Sequence, residues 1–177
     1  MKIFLNPGHA PNGQPDPGAC GCGLRECDVA LSVSKKVKKY LETVGYEVRL
    51  LQSDSLTEVT NAANAWESDL FVSVHCNAFN GNARGIETLM YGAGGDSERL
   101  AYSIQDQLKI SLKEIDKTFP DRGVKERPGL WVLKATNMPA VLVEMAFIDN
   151  VDDAKLLVNN EDDFARSIAR GVSDFYA

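Results

Sequence analysis

The stretch Asp69-Leu70-Phe71-Val72-Ser73-Val74-His75 decides the fold class. Leu70 to Val74 is apolar at nearly every position, which reads as a short strand covered on both faces rather than one that alternates between core and water. Helices are therefore expected on both sides of the sheet that holds it. Upstream, Ser55-Leu56-Thr57-Glu58 has capping-box spacing and starts a helix to about Trp66. Tyr46–Leu51 reads as a strand. Arg25–Val44 reads as a helix closed by Gly45 in a left-handed cap, with Val29, Ala30, Val33, Val37, Leu41 and Val44 on one face. Lys2–Leu5 is a short strand, and the Gly-, Pro- and Asn-rich residues Asn6 to Gly23 form a long loop.

Downstream, Ile86–Tyr91 reads as a strand. Asp96 caps a helix with a stripe at Leu100, Ile104, Leu108 and Leu112, and Asp116–Gly129 reads as a loop. Leu130–Leu133 is expected as a short strand, and Ala140–Val143 as a buried one ending in Glu144. Val151–Val158 and Asp162–Tyr176 are expected helices. Strands alternating with helices predict a single α/β domain over residues 1–177: a twisted, largely parallel mixed sheet of about six strands with helices on both faces.

Composition excludes more than it assigns. The chain has 177 residues, is 44% hydrophobic and carries a net charge of -6. That balance is ordinary for a globular domain and opposite to the basic footprint of a nucleic-acid binder. The longest apolar stretch, Pro139 to Ile148, is interrupted by Glu144 and too short to span a bilayer. Three apolar residues after Met1-Lys2 are too few for the apolar region of a signal peptide. No membrane span and no export signal are expected in this chain, which fits either phage-type release or a domain cut from a longer exported protein. Composition leaves the oligomeric state open.

In open α/β sheets, ligands bind beyond the carboxyl ends of the strands. His9, His75 and Glu144 all fall at or just after such ends, and the two histidines are the chain's whole complement. Glu26 opens the helix after the first strand. It lies seven residues before Val33 and eleven before Val37, which turns its carboxylate inward, where it is costly without a cation or donors. Two histidines and a carboxylate with an open fourth position form a known catalytic zinc set, with Glu144 left over as a base. Each residue also has a plain reading. His9 can bond its own turn, His75 can be a satisfied core residue, Glu26 can pair with Arg25 and Glu144 can form an edge ion pair. Convergence on one rim favours the metal.

Cysteine chemistry is the main alternative. His75 and Cys76 are neighbours on a strand and point to opposite faces, but Cys20 or Cys22 with His9 remains open. The four cysteines (Cys20, Cys22, Cys27, Cys76) read as reduced thiols, or as a bridge from Cys20 or Cys22 to Cys27. Cys20-Gly21-Cys22 leaves too short a spacer for a usual zinc knuckle. There is no His-Glu-x-x-His helix and no Gly-x-Ser-x-Gly elbow.

At these residues the chain resembles the zinc-dependent N-acetylmuramoyl-L-alanine amidases of bacterial autolysins and phage endolysins. The resemblance rests on Asn6-Pro7-Gly8-His9 with Asp16-Pro17-Gly18-Ala19 and Glu26, on Ser73-Val74-His75-Cys76-Asn77-Ala78, and on Gly85-Ile86-Glu87-Thr88. It extends to Pro139-Ala140-Val141-Leu142-Val143-Glu144 with Phe147-Ile148-Asp149-Asn150. It implies one catalytic Zn2+ on His9, Glu26 and His75, Glu144 as the catalytic carboxylate, and as substrate the peptidoglycan amide between N-acetylmuramic acid and L-alanine. Two departures stand out: Asn6 where the family commonly has aspartate, and the Cys20-Gly21-Cys22 loop. Only Phe79 to Arg84 separates the second histidine motif from Gly85, so an open site without an occluding helix is expected.

Stem peptides carry carboxylates, and Arg122 in the loop Asp116–Gly129 is suited to bind one. Asn77, beside His75, and Glu87 are further candidate substrate-binding residues. A zinc peptidase or deacetylase acting on another peptidoglycan bond, and a non-catalytic wall-binding module, are the competing functional classes.

Overall fold

A computed structural model describes all residues, 1–177. In chain order the elements are β1 (Lys2–Pro7), a small hairpin of β2 (Cys20–Gly21) and β3 (Leu24–Arg25), α1 (Glu26–Thr43), β4 (Glu47–Leu50), α2 (Leu56–Ala65), β5 (Leu70–Asn77), β6 (Ile86–Met90), α3 (Asp96–Ile115), β7 (Asp121–Glu126), α4 (Trp131–Lys134), β8 (Ala140–Phe147), α5 (Val151–Asn159) and α6 (Glu161–Phe175). The main sheet has the order β4-β1-β5-β8-β6-β7. Only the β6–β8 pair is antiparallel. The expected mixed, largely parallel six-stranded sheet with helices on both faces is therefore the fold. No helix is long and apolar enough to cross a membrane.

The two faces of the sheet are covered unequally. On one, Ile3, Leu5, Val72, Val74, Val141 and Val143 pack against the stripes of α1, α3 and α6 in a continuous core. Helix α1 sets Val29, Val33, Val37 and Leu41 into it, each large side chain adding about 1.5–3 kcal/mol relative to exposure. Helix α6 approaches α3 through Gly171, where a Cβ would lie 2.4 Å from Ile104 Cα. On the opposite face, Phe4, Phe71, Leu89, Ala140 and Leu142 pack against Val59 and Ala63 of α2 and Val132 and Leu133 of α4. Those helices have only ten and four residues, so they cover only part of the face.

Strand alternation carries the same face onward from Phe71 and Ser73 to His75, from Ala140 and Leu142 to Glu144, and from Leu89 back to Glu87. His75 and Glu87 are both paired in register with Glu144. A row of three polar residues thus crosses three adjacent strands where the second helix layer stops.

Four sequence expectations need correction. Asp116–Gly129 is not all loop: Asp121–Glu126 is β7, an edge strand parallel to β6. Its Asp-Arg-Gly-Val-Lys-Glu sequence lacks alternation because none of its six residues is fully buried on either face of the sheet. Leu130–Leu133 is not a strand. Val132 and Leu133 are both buried on one partner layer, which a helical turn allows and a strand does not. Gly95, not Asp96, is the N-cap of α3, with Asp96 inside its first turn. Strand β8 runs three residues past Glu144, so that carboxylate stands within the strand rather than at its tip.

Candidate metal centre

His9 sits in the turn after β1, in the left-handed region at φ 65°. Histidine enters that region more readily than most residues, at a cost of about 1–3 kcal/mol. The surrounding backbone holds the turn: Gly8 N–H donates to Val74 O (3.0 Å), Ala10 N–H to Asp16 O (2.9 Å), and the Gln52 amide to Gly8 O and Cys27 O. Gly8 lets the two histidine rings approach, since a Cβ there would lie 2.3 Å from the His75 ring. The ring centroids are 5.1 Å apart. Gly18 is equally constrained, between the His9 ring and Glu26 Oε2.

Glu26 begins α1 and is buried, as its position on the inward stripe predicts. Its Oε1 lies 2.8 Å from His75 Nδ1 and accepts from Cys76 N–H at 3.0 Å. Its Oε2 lies 2.9 Å from His9 Nε2 and accepts from Ala19 N–H at 2.8 Å. Burial by itself would raise this carboxyl, but the hydrogen bonds to His75 and His9 hold it well below the usual carboxylate range. The hydrogen bond to Glu26 in turn raises His9 to about 9 against burial, with a second bond to Asp16 assisting. One ligand atom from each of His9, Glu26 and His75 falls within 4.8 Å of the others, so the three can hold a metal ion. Two imidazole nitrogens and one carboxylate oxygen suit zinc.

Glu144 stands one strand beyond His75. Burial pushes its carboxyl up to about 7, with the neighbouring His75 pulling the other way. Its Oε2 is buried and has no hydrogen-bond partner in the protein. An orphaned buried oxygen beside a metal-capable donor set fits a site built to hold one more polar group.

The sequence reading missed Asp16. Its Oδ2 lies 2.8 Å from His9 Nδ1 and its Oδ1 accepts from Gly18 N–H. This carboxylate orients the His9 ring, the role commonly filled by a partner of a metal-bound histidine. Asp16 occupies an aperiodic loop, and the one available signal was its place in the Asp16-Pro17-Gly18-Ala19 motif. Asn6, the departure noted above, instead accepts from the Ser73 hydroxyl (2.9 Å) and donates to Leu51 O, away from His9.

Asn77, Glu87 and Arg122 come together. Asn77 donates to Glu87 Oε1 (3.1 Å), Arg122 Nε to Glu87 Oε2 (2.8 Å), and Lys125 joins the same oxygen. Burial would raise Glu87, but Lys125 and Arg122 hold it below the ordinary carboxylate range. The guanidinium of Arg122 lies over the Phe147 ring at 4.9 Å.

All four cysteines are free. Cys20 and Cys22 are exposed on the β2–β3 hairpin, whereas Cys27 and Cys76 are buried. Both ring nitrogens of His9 are taken by Asp16 and Glu26, which leaves no partner for a Cys20 or Cys22 dyad. Burial pushes the Cys76 thiol well up, and it sits in the closed core.

Loop residues 78–85 contain no helix over the site. Asp149 accepts from Phe79 and Gly81 N–H and Asn150 donates to Gly81 O, which folds this short connection back. Beside the histidines opens a cavity of about 260 Å³, walled by Leu130, Trp131, Val132, Leu142 and Leu56, with Asp16, Ser53 and Asp54 on its polar side.

Comparison with known proteins gives the chain a family. A sequence model of the family described as N-acetylmuramoyl-L-alanine amidase matches residues 3–174. The chain is 38% identical to the N-acetylmuramoyl-L-alanine amidase CwlM of Bacillus licheniformis, over 97% of this chain and 65% of that protein. It is 40% identical to the endolysin of Bacillus phage SPP1, over 97% of this chain and 63% of that protein. The chain thus spans a little under two thirds of the length of these relatives. Among solved structures it is similar to the CwlD amidase from Clostridioides difficile, determined in complex with the GerS lipoprotein. The TM-score is 0.89 and the identity 28%, covering 99% of this chain and 98% of that one.

Proposed function

The chain belongs to the N-acetylmuramoyl-L-alanine amidase family, and from that membership we propose that residues 1–177 form one zinc-dependent catalytic domain that hydrolyses the amide between N-acetylmuramic acid and L-alanine in peptidoglycan. Its place of action in this reading is the bacterial cell wall. The observation that carries the proposal is the meeting of His9, Glu26 and His75, with the unpartnered Glu144 Oε2 on the adjacent strand.

In this reading His9, Glu26 and His75 hold the ion and Glu144 is the catalytic carboxylate. Zinc bound there would supply Lewis acidity, polarising the scissile carbonyl and lowering the pKa of water toward about 7. Glu144 accepts the proton of the attacking water as its oxygen bonds to the lactyl carbonyl carbon. It then donates that proton to the alanine nitrogen as the carbon–nitrogen bond breaks, leaving a lactyl carboxylate and a free amine. Burial raises this carboxyl in the metal-free protein, and a cation on the neighbouring ligands would draw it down again, toward the ionised form a base needs. Asp16 keeps His9 aimed at the ion, and the backbone N–H groups of Ala19 and Cys76 fix the orientation of the Glu26 carboxylate. Arg122, with Asn77 and Glu87 fixing it, binds a carboxylate of the stem peptide.

The test is zinc content measured together with product analysis on purified walls. The reading expects about one zinc per chain, new L-alanine amino termini and free lactyl ends on the glycan. Cleavage within the stem, or loss of acetate, would instead assign a peptidase or deacetylase. Zinc binding without turnover would indicate a wall-binding module.

A further inference from the structure

The scissile amide divides the substrate of the proposed amidase into unlike halves. The amine side is a peptide with free carboxylates; the acyl side is a lactyl ether on an uncharged pyranose. The two ends of the site are unlike in the same sense. Toward β7, Arg122 and Lys125 share the single carboxylate of Glu87, so that end carries excess positive charge. Toward β1 and α4 the cavity has no lysine or arginine in its wall, and its charged groups besides the histidines are Asp16 and Asp54. An anionic peptide is repelled from that end and attracted to the other.

The cavity also has the surface a sugar ring prefers. Trp131, at the first turn of α4, is 47% exposed, and Leu56, at the first turn of α2, is 48% exposed. They meet across a shallow extension of the same opening, so two large apolar side chains stand together in water at the lip of the site rather than scattered singly. A pyranose presents axial C–H groups to an aromatic face and hydroxyls at its edge, and Ser53 and Asp54 supply polar groups beside that face. At about 260 Å³ the cavity is small beside the roughly 300–1,000 Å³ of a drug-sized pocket, which suits one ring and its substituents.

Resting on the amidase reading, we propose that this cleft is a saccharide subsite in which Trp131 and Leu56 seat the N-acetylmuramoyl ring. The substrate then lies across the site in one direction, with glycan toward α4 and stem peptide toward β7.

Two measurements test it. The first compares kcat/KM of the zinc-loaded protein on a disaccharide-tetrapeptide and on the matching D-lactyl-tetrapeptide, which keeps the amide and stem but lacks the sugar. Trp131→Ala should lower kcat/KM on the disaccharide substrate roughly tenfold, mainly through KM, and leave the lactyl substrate unchanged. Trp131→Phe should restore most of the loss. Equal loss on both substrates, or no loss on either, overturns the subsite. If the wild type releases no peptide from the disaccharide substrate, the amidase reading itself has failed, and the second measurement decides the subsite independently. Trp66 and Trp131 are the only tryptophans, and Trp66 lies beneath Arg49, packed on Phe4 and away from this cleft. In Trp66→Phe protein stripped of metal, N-acetylglucosaminyl-N-acetylmuramic acid should produce a saturable change in Trp131 fluorescence, and the free L-alanyl stem tetrapeptide none. A response to the peptide alone, or to neither, rejects the assignment.

Discussion

The two faces of the central sheet are made by the same strands and do different work. On the closed face, Val72, Val74, Val141 and Val143 meet three long amphipathic helices, and the buried polar groups there, such as Thr88 and Gln105, are bonded to each other. On the other, alternate residues of the same strands run from Phe71 and Leu142 into His75 and Glu144, because α2 and α4 are too short to follow them. The site is the part of a sheet face left without a second layer. Of its polar row His75 lines the cavity, Glu87 is buried among charged partners, and the buried Glu144 Oε2 is left unsatisfied by protein.

The largest effect that would sharpen this contrast is at Glu144. Glu144→Gln keeps the shape of the side chain and removes the proton acceptor. Turnover on cell walls should fall by about 10²–10⁴-fold while zinc content and melting temperature stay near wild type. A variant that retains turnover would remove Glu144 from the chemistry and leave the open face without its base. On the closed face the opposite pattern is expected. Leu108→Ala should cost about 2–5 kcal/mol in denaturant unfolding and leave the specific activity of the folded protein unchanged. If both variants lost activity and stability together, the two faces would not be separable.

A smaller effect is expected at Asp16. Asp16→Asn keeps a hydrogen-bonding side chain but removes the charge that orients His9, and zinc affinity should weaken about 10–100-fold in competition with a chelator. Unchanged affinity would show that the turn alone positions the ring. The smallest effect concerns pH. In the metal-free protein His9 is raised from 6.5 to about 9. A raised pKa contributes stability that is fully present below about 6.5 and is lost as pH rises through about 9. Thermal unfolding of chelator-treated protein should therefore show the melting temperature falling across that window. Zinc-loaded protein should lack the decline, because the ligand is a neutral imidazole. A flat profile for the metal-free protein would mean that the His9–Glu26 contact contributes no stability there.

Sequence reading succeeded where information was periodic or held in a compact motif. The stripe of α1 announced a buried Glu26, and the apolar run at Leu70 announced a strand covered on both sides. The Ser55 cap is as expected, with its hydroxyl accepting from Glu58 N–H. It failed at β7 and α4, and both failures bear on the site, since β7 carries Arg122 and Lys125 and α4 carries Trp131. An edge strand is held by ladder bonds to one neighbour, and four residues of helix leave no period to detect. Asp16 was passed over for the same reason: a loop carboxylate acquires a role only from whatever lies across from it.

What the amino-acid sequence by itself determined is most of the elements and the candidate site residues: two histidines and an inward glutamate able to hold a metal, and a further glutamate on a buried strand. These follow from local spacing, because a helix face or a strand alternation is a property of neighbours in the chain. Only the tertiary structure decided which of them meet. Register pairs His75 with Glu144 and Glu144 with Glu87, although these residues are tens of positions apart in the chain. The lengths of α2 and α4 decided how much of that row stays uncovered. The physical reason is that side-chain alternation is set residue by residue, whereas register and coverage are set by packing among distant elements.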